Sequence, residues 1–273
     1  MVTSVKRKGY CLAVIFSLLY VLIFTSCIPT GGRPGNSFSS EGEIIPRHQR
    51  SGLAILKFIN STSNEKADYF QPWEYGIAAM LTTDIEQTGM FNIVDRERLN
   101  DILEEQRLQA TDLFDQSTAV SIGKMVSAEY ILTGTFMVVE NNLKIMGQVF
   151  SVEKGIQLGA VSAVGATEQF FMVEKELFEK VSDTLSMMLD TEKKRKILAS
   201  IETKSVDASL NNYSGEIAML KAEEMKKRGD TEKTKMYNDE AKNKFREALK
   251  ADPKYKRAKE NLSRLQMAIP MTL

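Results

Sequence analysis

The sequence predicts a layered α/β domain, with helices packed on a mixed sheet, followed by a helical C-terminal segment. Three observations predict it. Short apolar runs suited to strands alternate with apolar repeats of helical spacing between Leu53 and Asp190. Two tight turns in succession, Glu140-Asn141-Asn142 and Glu153-Lys154-Gly155, set three strands into an antiparallel meander. Everything after Val206 reads as helix.

Taken in order, residues 53–59 (LAILKFI) form a short apolar run closed by the polar loop Asn60-Ser61-Thr62-Ser63-Asn64, as suits a buried strand. Ile77, Leu81 and Ile85 recur every four residues with Ala78 beside them, which marks an amphipathic helix ending at Gly89. Residues 91–94 (FNIV) make a second strand, and Asp95 caps a helix carrying Leu99, Ile102, Leu103 and Leu108. Asp115 or Ser117 opens a third helix through Ala119, Ile122 and Val126. Strands follow at 130–139, 143–152 and 156–164. A long helix then carries Phe171, Val173, Leu177, Val181, Leu185 and Met188 at intervals of three to four. Asp190 begins DTEKKRK, a charged hinge or helix end.

In the region 206–268, Gly229, Ala241, Phe245, Ala248 and Pro253 fall at the offsets of a tetratricopeptide repeat. In that reading Gly229 is the small residue on the first helix. Ala241, Phe245 and Ala248 pack from the second, and Pro253 ends it. One repeat buries too little to stand alone, so it needs a further helix or the α/β body as its partner.

The N-terminus points to export. Lys6, Arg7 and Lys8 precede an uncharged run of about sixteen residues, near the top of the usual apolar length of a signal peptide and short for a spanning helix. The run ends in Phe24-Thr25-Ser26-Cys27, which resembles a bacterial lipoprotein signal. The resemblance makes residues 1–27 a signal peptide and Cys27 the lipidation site. Ile28 after the cysteine resembles the signal for the outer membrane, so the expected place is its periplasmic face, through a lipid anchor. Residues 28–52 are rich in Gly, Pro, Ser and charge and read as a flexible tether, with a typical end-to-end distance of roughly 27 Å.

Net charge is zero, but it is unevenly spread. Residues 28–189 hold 13 basic and 22 acidic groups, net −9, and residues 190–273 hold 20 and 14, net +6. Opposite signs favour docking between the two parts, or a basic segment meeting an acidic partner.

No catalytic pattern emerges. The cysteines are Cys11 and Cys27 only, which leaves the body without a thiol nucleophile or a disulfide framework. The single histidine, His48, lies in the tether, so no metal site is expected. There is no G-x-S-x-G, Walker A loop or G-x-G-x-x-G. Carboxylates such as Glu104-Glu105 and Glu174-Glu176 fall on expected outward helix faces. An acidic, exported body argues against nucleic acid. No cofactor and no small-molecule substrate is implied. One cluster stands out: Tyr69, Phe70, Trp73 and Tyr75 crowd the loop before the first helix. Either they fold back as core plugs, or Tyr69, Phe70 and Trp73 form a partner-binding surface.

Several blocks together resemble the CsgG family of envelope lipoproteins: LAILKFIN, TGMFNIVDRERLNDILEEQRL, IGKMVSAEYILTGTF and VFSVEKGIQLG. The matching motif residues are Asn60, Val94, Arg96, Leu99, Glu105, Gln106 and Gly134. The resemblance, over about 51–190, implies an anticodon-binding-like fold shared in outline with the TolB N-terminal domain and LpoB. It also implies an envelope protein partner and leaves room for a homo-oligomer. The departure is as informative. The family's curli secretion channel carries two long insertions that become membrane-spanning hairpins, the first between the strands joined here by Glu140-Asn141-Asn142. A three-residue turn stands in its place, and after Val164 there is no room for the second. Two functions follow from the resemblance. One is a non-catalytic scaffold or accessory component in envelope secretion or surface assembly. The alternative is an LpoB-like regulator that binds and activates a cell-wall synthase or another envelope machine.

Overall fold

A computed structural model describes residues 45–105 and 115–268. The signal peptide with Cys27, most of the tether, Gln106 and Leu108 lie outside the described residues.

The sheet has five strands in the order β2-β1-β3-β4-β5: β1 Ser51–Asn60, β2 Phe91–Ile93, β3 Tyr130–Val139, β4 Asn142–Ser151 and β5 Ile156–Ala166. β1 runs parallel to both β2 and β3, whereas β3, β4 and β5 form an antiparallel meander. The first strand starts two residues ahead of Leu53, and His48 sits just before it in an exposed 3-10 turn, Arg47–Gln49. Asn92 donates to the Arg47 and Arg50 carbonyls at 2.7 and 3.0 Å and ties that turn to β2. The β3–β4 turn is tighter than expected. Val139 pairs with Asn142, so Glu140 and Asn141 alone make it, with Glu140 at φ 56°.

Helices pack on both faces of the sheet. The first face is largely apolar, whereas the second is apolar over β1 and the adjoining ends of β3 and β4 and carries Thr133, Lys144, Gln148 and Ser162 beyond them. On one face α1 (Ala67–Phe70), α2 (Trp73–Thr88) and α5 (Phe170–Thr184) pack on Leu53, Ile55, Phe58, Leu132, Phe136, Ile145 and Val149. On the other, α3 (Arg96–Glu105) and α4 (Gln116–Met125) pack on Ala54, Leu56, Ile131 and Phe150. Asp95 caps α3 by accepting from the Arg98 N–H at 3.2 Å, and Asp115 caps α4 by accepting from Thr118 at 3.1 Å. The α5 helix ends at Thr184, so Met188, expected on its apolar stripe, is 70% exposed.

The charged segment is a helix, α6 (Thr191–Leu198), capped by Asp190, with Ile197 sunk in the main core. Three longer helices follow: α7 (Val206–Lys227), α8 (Thr231–Ala251) and α9 (Lys256–Ala268). Ala241, Phe245 and Ala248 are fully buried and Pro253 lies exposed in the turn after α8. Gly229 does not play the expected packing part. It sits past the end of α7 at φ 76°, with nothing near the place where a side chain would project, and serves as the helix terminator. The small residue that admits Phe245 is Gly215, where a Cβ would lie 2.5 Å from the ring.

This helical segment is part of the body rather than an appendage. Leu210 and Tyr213 of α7 belong to the same buried cluster as the sheet and α2. Tyr213 lies so close over Gly76 of α2 that a Cβ there would stand 2.4 Å from its ring.

Candidate functional site

The aromatic cluster builds the joint between α2 and α7. Trp73, the first residue of α2, is fully buried and stacks on Phe170 with ring centroids 4.0 Å apart and planes 2° from parallel. Phe70 also stacks on it, with centroids 5.0 Å apart and planes 29° from parallel. The indole N–H donates to the Ser209 hydroxyl of α7 at 3.1 Å, which satisfies the one polar atom that burial would otherwise orphan. The partner-surface reading of Phe70 and Trp73 is therefore corrected: these rings are core. Tyr69 is 47% exposed, but its hydroxyl donates to the Asp207 carboxylate. Burial, then Asp207, pushes its phenol up to about 12.

The family-motif residues hold the loops around this joint. Asn60 donates through its amide to the Ala67 carbonyl at 2.8 Å and accepts from the Thr62 N–H at 3.0 Å, while its own N–H donates to Glu74 at 2.9 Å. Gly134 lies under Phe58, where a Cβ would come within 2.0 Å of the ring. Arg96 reaches back from α3 to α2, with its guanidinium 4.3 Å from the Tyr75 ring centre and an N–H donated to the Tyr75 carbonyl at 3.4 Å. Burial pushes the Arg96 value down and that of Tyr75 up to about 12. Glu105 is exposed at the end of α3. These residues shape the scaffold, and none of them lines the cleft described next except the neighbouring Tyr75.

An open cleft of about 800 Å³ lies between α2, the α6–α7 loop, α7 and α9. Its walls mix apolar groups (Ile201, Met219, Leu220) with charges of both signs. The floor is a polar network that sequence reading did not single out. Arg257 of α9 grips Glu216 of α7 with two nitrogens, at 2.7 and 3.0 Å, and reaches Glu202 at 3.3 Å. Asn261 donates to Glu216 at 2.7 Å, and Asn212 donates to the same oxygen at 3.0 Å. Tyr255 donates to Glu202 at 3.1 Å. Burial works against the Glu216 carboxylate, but Arg257 and the two amides overcome it and hold its value below the ordinary range. Both pairs, Asn212 with Glu216 and Arg257 with Asn261, are spaced by four. A polar pair at that spacing within the apolar stripe of a helix was the available signal. Arg264 and Glu86 reach into the cleft with no ion-pair partner among the described residues.

A second buried cluster sits between α2 and α5. Glu174, expected on an outward face, is completely buried, beside Lys175 and Asp84. Lys175 Nζ lies 2.5 Å from Asp84 and 3.4 Å from Glu174, and neither Glu174 oxygen makes a hydrogen bond among the described residues. Burial, then the Asp84 charge, pushes Glu174 well above the ordinary carboxylate range, and burial raises Asp84 against the pull of Lys175. With one ammonium among two carboxylates, burial and the Asp84 charge favour the neutral form of Glu174. Its folded value exceeds the unfolded one. The stability it allows is thus full below the unfolded carboxylate value and declines as pH rises towards the folded value. Glu174→Gln keeps the shape without the titration. It is expected to leave neutral-pH stability level or raise it, and to flatten the pH dependence. Thermal melts at about pH 5 and about pH 8 check this, and a lower midpoint for the variant at both would show that the carboxylate itself is needed.

No group of three or more His, Cys, Asp or Glu among the described residues is placed to hold a metal ion, and no described helix is long and apolar enough to cross a membrane.

Residues 48–169 match the family model for the curli production assembly/transport component CsgG. The match runs from the 3-10 turn before β1 to the residue preceding α5. No curated protein matches the chain. Among solved structures, the LpoB C-terminal domain from Salmonella enterica is 20% identical with a TM-score of 0.34, over 42% of this chain and 82% of that one. TolB from Acinetobacter baumannii is 14% identical with a TM-score of 0.34, over 50% and 29%. Lipoprotein GNA1162 from Neisseria meningitidis is 10% identical with a TM-score of 0.35, over 51% and 99%.

Proposed function

We propose that this CsgG-domain chain is a lipid-anchored envelope protein and a non-catalytic scaffold or accessory component in secretion or surface assembly, and that it forms no pore. The observation that carries the reading is the closure of the meander. β3 and β4 are joined by two residues, and β5 passes through the 3-10 turn Thr167–Gln169 straight into α5. The places where the secretion channel carries its membrane hairpins hold turns. The three long strands are committed to the sheet on which α2 and α5 pack.

In place of a pore, the domain is fused to a helical array that supplies half of an open cleft. We assign that cleft as the partner-facing surface, because both parts of the molecule wall it and Arg264 and Glu86 stand in it without an ion-pair partner among the described residues. The anchor in this reading is the lipid on Cys27, since a single acyl chain holds marginally and several hold stably.

Two measurements test the proposal. Cys27→Ser is expected to move the protein out of the outer-membrane fraction, and unchanged outer-membrane association would remove the anchor from the account. Photo-crosslinking in cells from position 264 should capture an envelope secretion or assembly component. Capture of a cell-wall synthase would instead make the chain a regulator of that enzyme, and equal capture from an exposed position on α8 would show that the cleft is not the docking surface.

A further inference from the structure

One edge of the sheet is long and uncharged. β5 has eleven residues and pairs with β4 alone, and no described strand lies on its other side. From Gly155 to Thr167 there is no charged side chain, in a chain where 26% of residues are charged. Folded proteins blunt such edges with charges, proline, bulges or a covering element, because free N–H and C=O groups otherwise recruit another strand. Here the edge has one bulge, where the register shifts at Val149/Phe150, and one plug, the Lys180 ammonium, which donates to the Ser162 carbonyl at 2.6 Å. The opposite edge, β2, is only three residues long.

We propose that β5 pairs with the β5 of a second copy, antiparallel about a twofold axis at Ser162, and joins the two sheets into one. A twofold contact is self-complementary by construction. It would set Ser162 against the partner's Ser162, Val164 against the partner's Ala160, and Leu158 against the partner's Ala166. Val164 is 57% and Leu158 37% exposed in the single copy, and small side chains opposite them leave room for both.

Charge complementarity selects a second copy as the occupant. The α5 helix lies along β5 in the opposite direction, with Val173 over Gly165 and Thr184 over Gly159. Glu176 and Lys180 form an exposed pair on α5, 2.6 Å apart and four residues apart in sequence, and Lys180 is the residue that reaches the outer edge of β5. A twofold axis at Ser162 sets the two α5 helices antiparallel. Glu176 then faces the partner's Lys180, and Lys180 faces the partner's Glu176. The pair that closes on itself in one copy is exchanged between two, and Lys180 gives up the Ser162 carbonyl to the incoming strand.

The full chain in detergent, sized by light scattering with the detergent contribution removed, is expected to have twice the protomer mass. The Ser162 carbonyl points outward, and in an antiparallel strand the N–H of the same residue points with it. Ser162→Pro therefore removes an outward donor and costs no bond to β4. It is expected to halve the mass with an unchanged circular dichroism spectrum. Glu176→Lys should weaken the dimer, and adding Lys180→Glu should restore it, because the exchanged pairs then re-form with the signs reversed. A covalent reading is independent of these variants. The only native cysteines are Cys11 and Cys27. Opposed residues at a hydrogen-bonded antiparallel pair have Cα atoms about 5.5 Å apart, within disulfide reach. Ser162→Cys should thus give an oxidised dimer that the wild type does not. A monomeric wild type, a larger ring insensitive to Ser162→Pro, or failure of the double charge swap to rescue would each overturn the proposal.

Discussion

Trp73→Ala is expected to cost about 3 to 5 kcal/mol, the range for emptying a fully buried aromatic site. The loss has three parts. The indole is stacked on both Phe70 and Phe170, so its removal leaves a cavity lined by two aromatic rings. The edge contact with Phe136 of β3, at 6.3 Å between centroids, goes as well. The Ser209 hydroxyl loses the indole donor that binds α7 to α2. Because that last contact crosses between the α/β body and the C-terminal helices, the variant should unfold at a lower denaturant midpoint and become cleavable by protease in α7 and α8. Wild-type resistance in those helices would show that the joint rests on Tyr213 and Leu210 alone.

Removing the arginine from the floor of the cleft should be nearly as damaging at neutral pH. Arg257→Met is expected to cost about 3 to 5 kcal/mol, because it strands a buried carboxylate that keeps only amide partners. The pH dependence identifies the cause. In the wild type, Glu216 has a folded value below its unfolded one, so its contribution is present above the unfolded value and is lost as pH falls through the folded one. Without Arg257, burial dominates and the folded value moves above the unfolded one. The variant should then recover relative to wild type as pH falls towards the carboxylate range. Denaturant midpoints across that range check this, and a deficit that stays constant with pH would assign the loss to packing against Tyr213 instead.

The sheet and its turns were legible because each depends on neighbours in sequence. Apolar runs at 53–59 and 130–139, turn residues at 140–142 and 153–155, and caps at Asp95 and Asp115 all act locally, and the structure places strands, turns and caps there. What was not legible depends on distant packing. Whether the rings at Phe70 and Trp73 point in or out is decided by Ser209 and Phe170, which lie far along the chain. Gly215 and Gly229 are equivalent in composition, and only the register of α7 against α8 shows which one Phe245 crosses. Glu174 adjoins Val173 on a helix whose buried face is wide enough to include it, against the usual preference of carboxylates for water. The DTEKKRK segment reads as a hinge or a helix end because its side chains are charged. Ile197, with the half-buried Leu198 beside it, anchors it in the core, and two adjacent apolar positions give no period to detect.

The cleft shows the same division. Its cations and carboxylates are ordinary members of a Lys-rich and Glu-rich helical region, and they become a site through the approach of α9 to α7. Asn212, Glu216, Arg257 and Asn261 meet there across more than forty positions of sequence.

The account turns on the absence of a pore, and the most direct test is conductance in planar lipid bilayers. A spanning barrel needs strands of about 9 to 11 residues that close edge to edge. β3, β4 and β5 have 10, 10 and 11 residues, so length alone would permit it. Spending them on a barrel would strip Ile77, Leu81 and Leu177 of the surface that buries them, at about 1.5 to 3 kcal/mol for each side chain. Purified acylated protein is expected to give no stepwise current. Discrete, reproducible channels from a homogeneous preparation would contradict the account and return the chain to the role of a secretion pore.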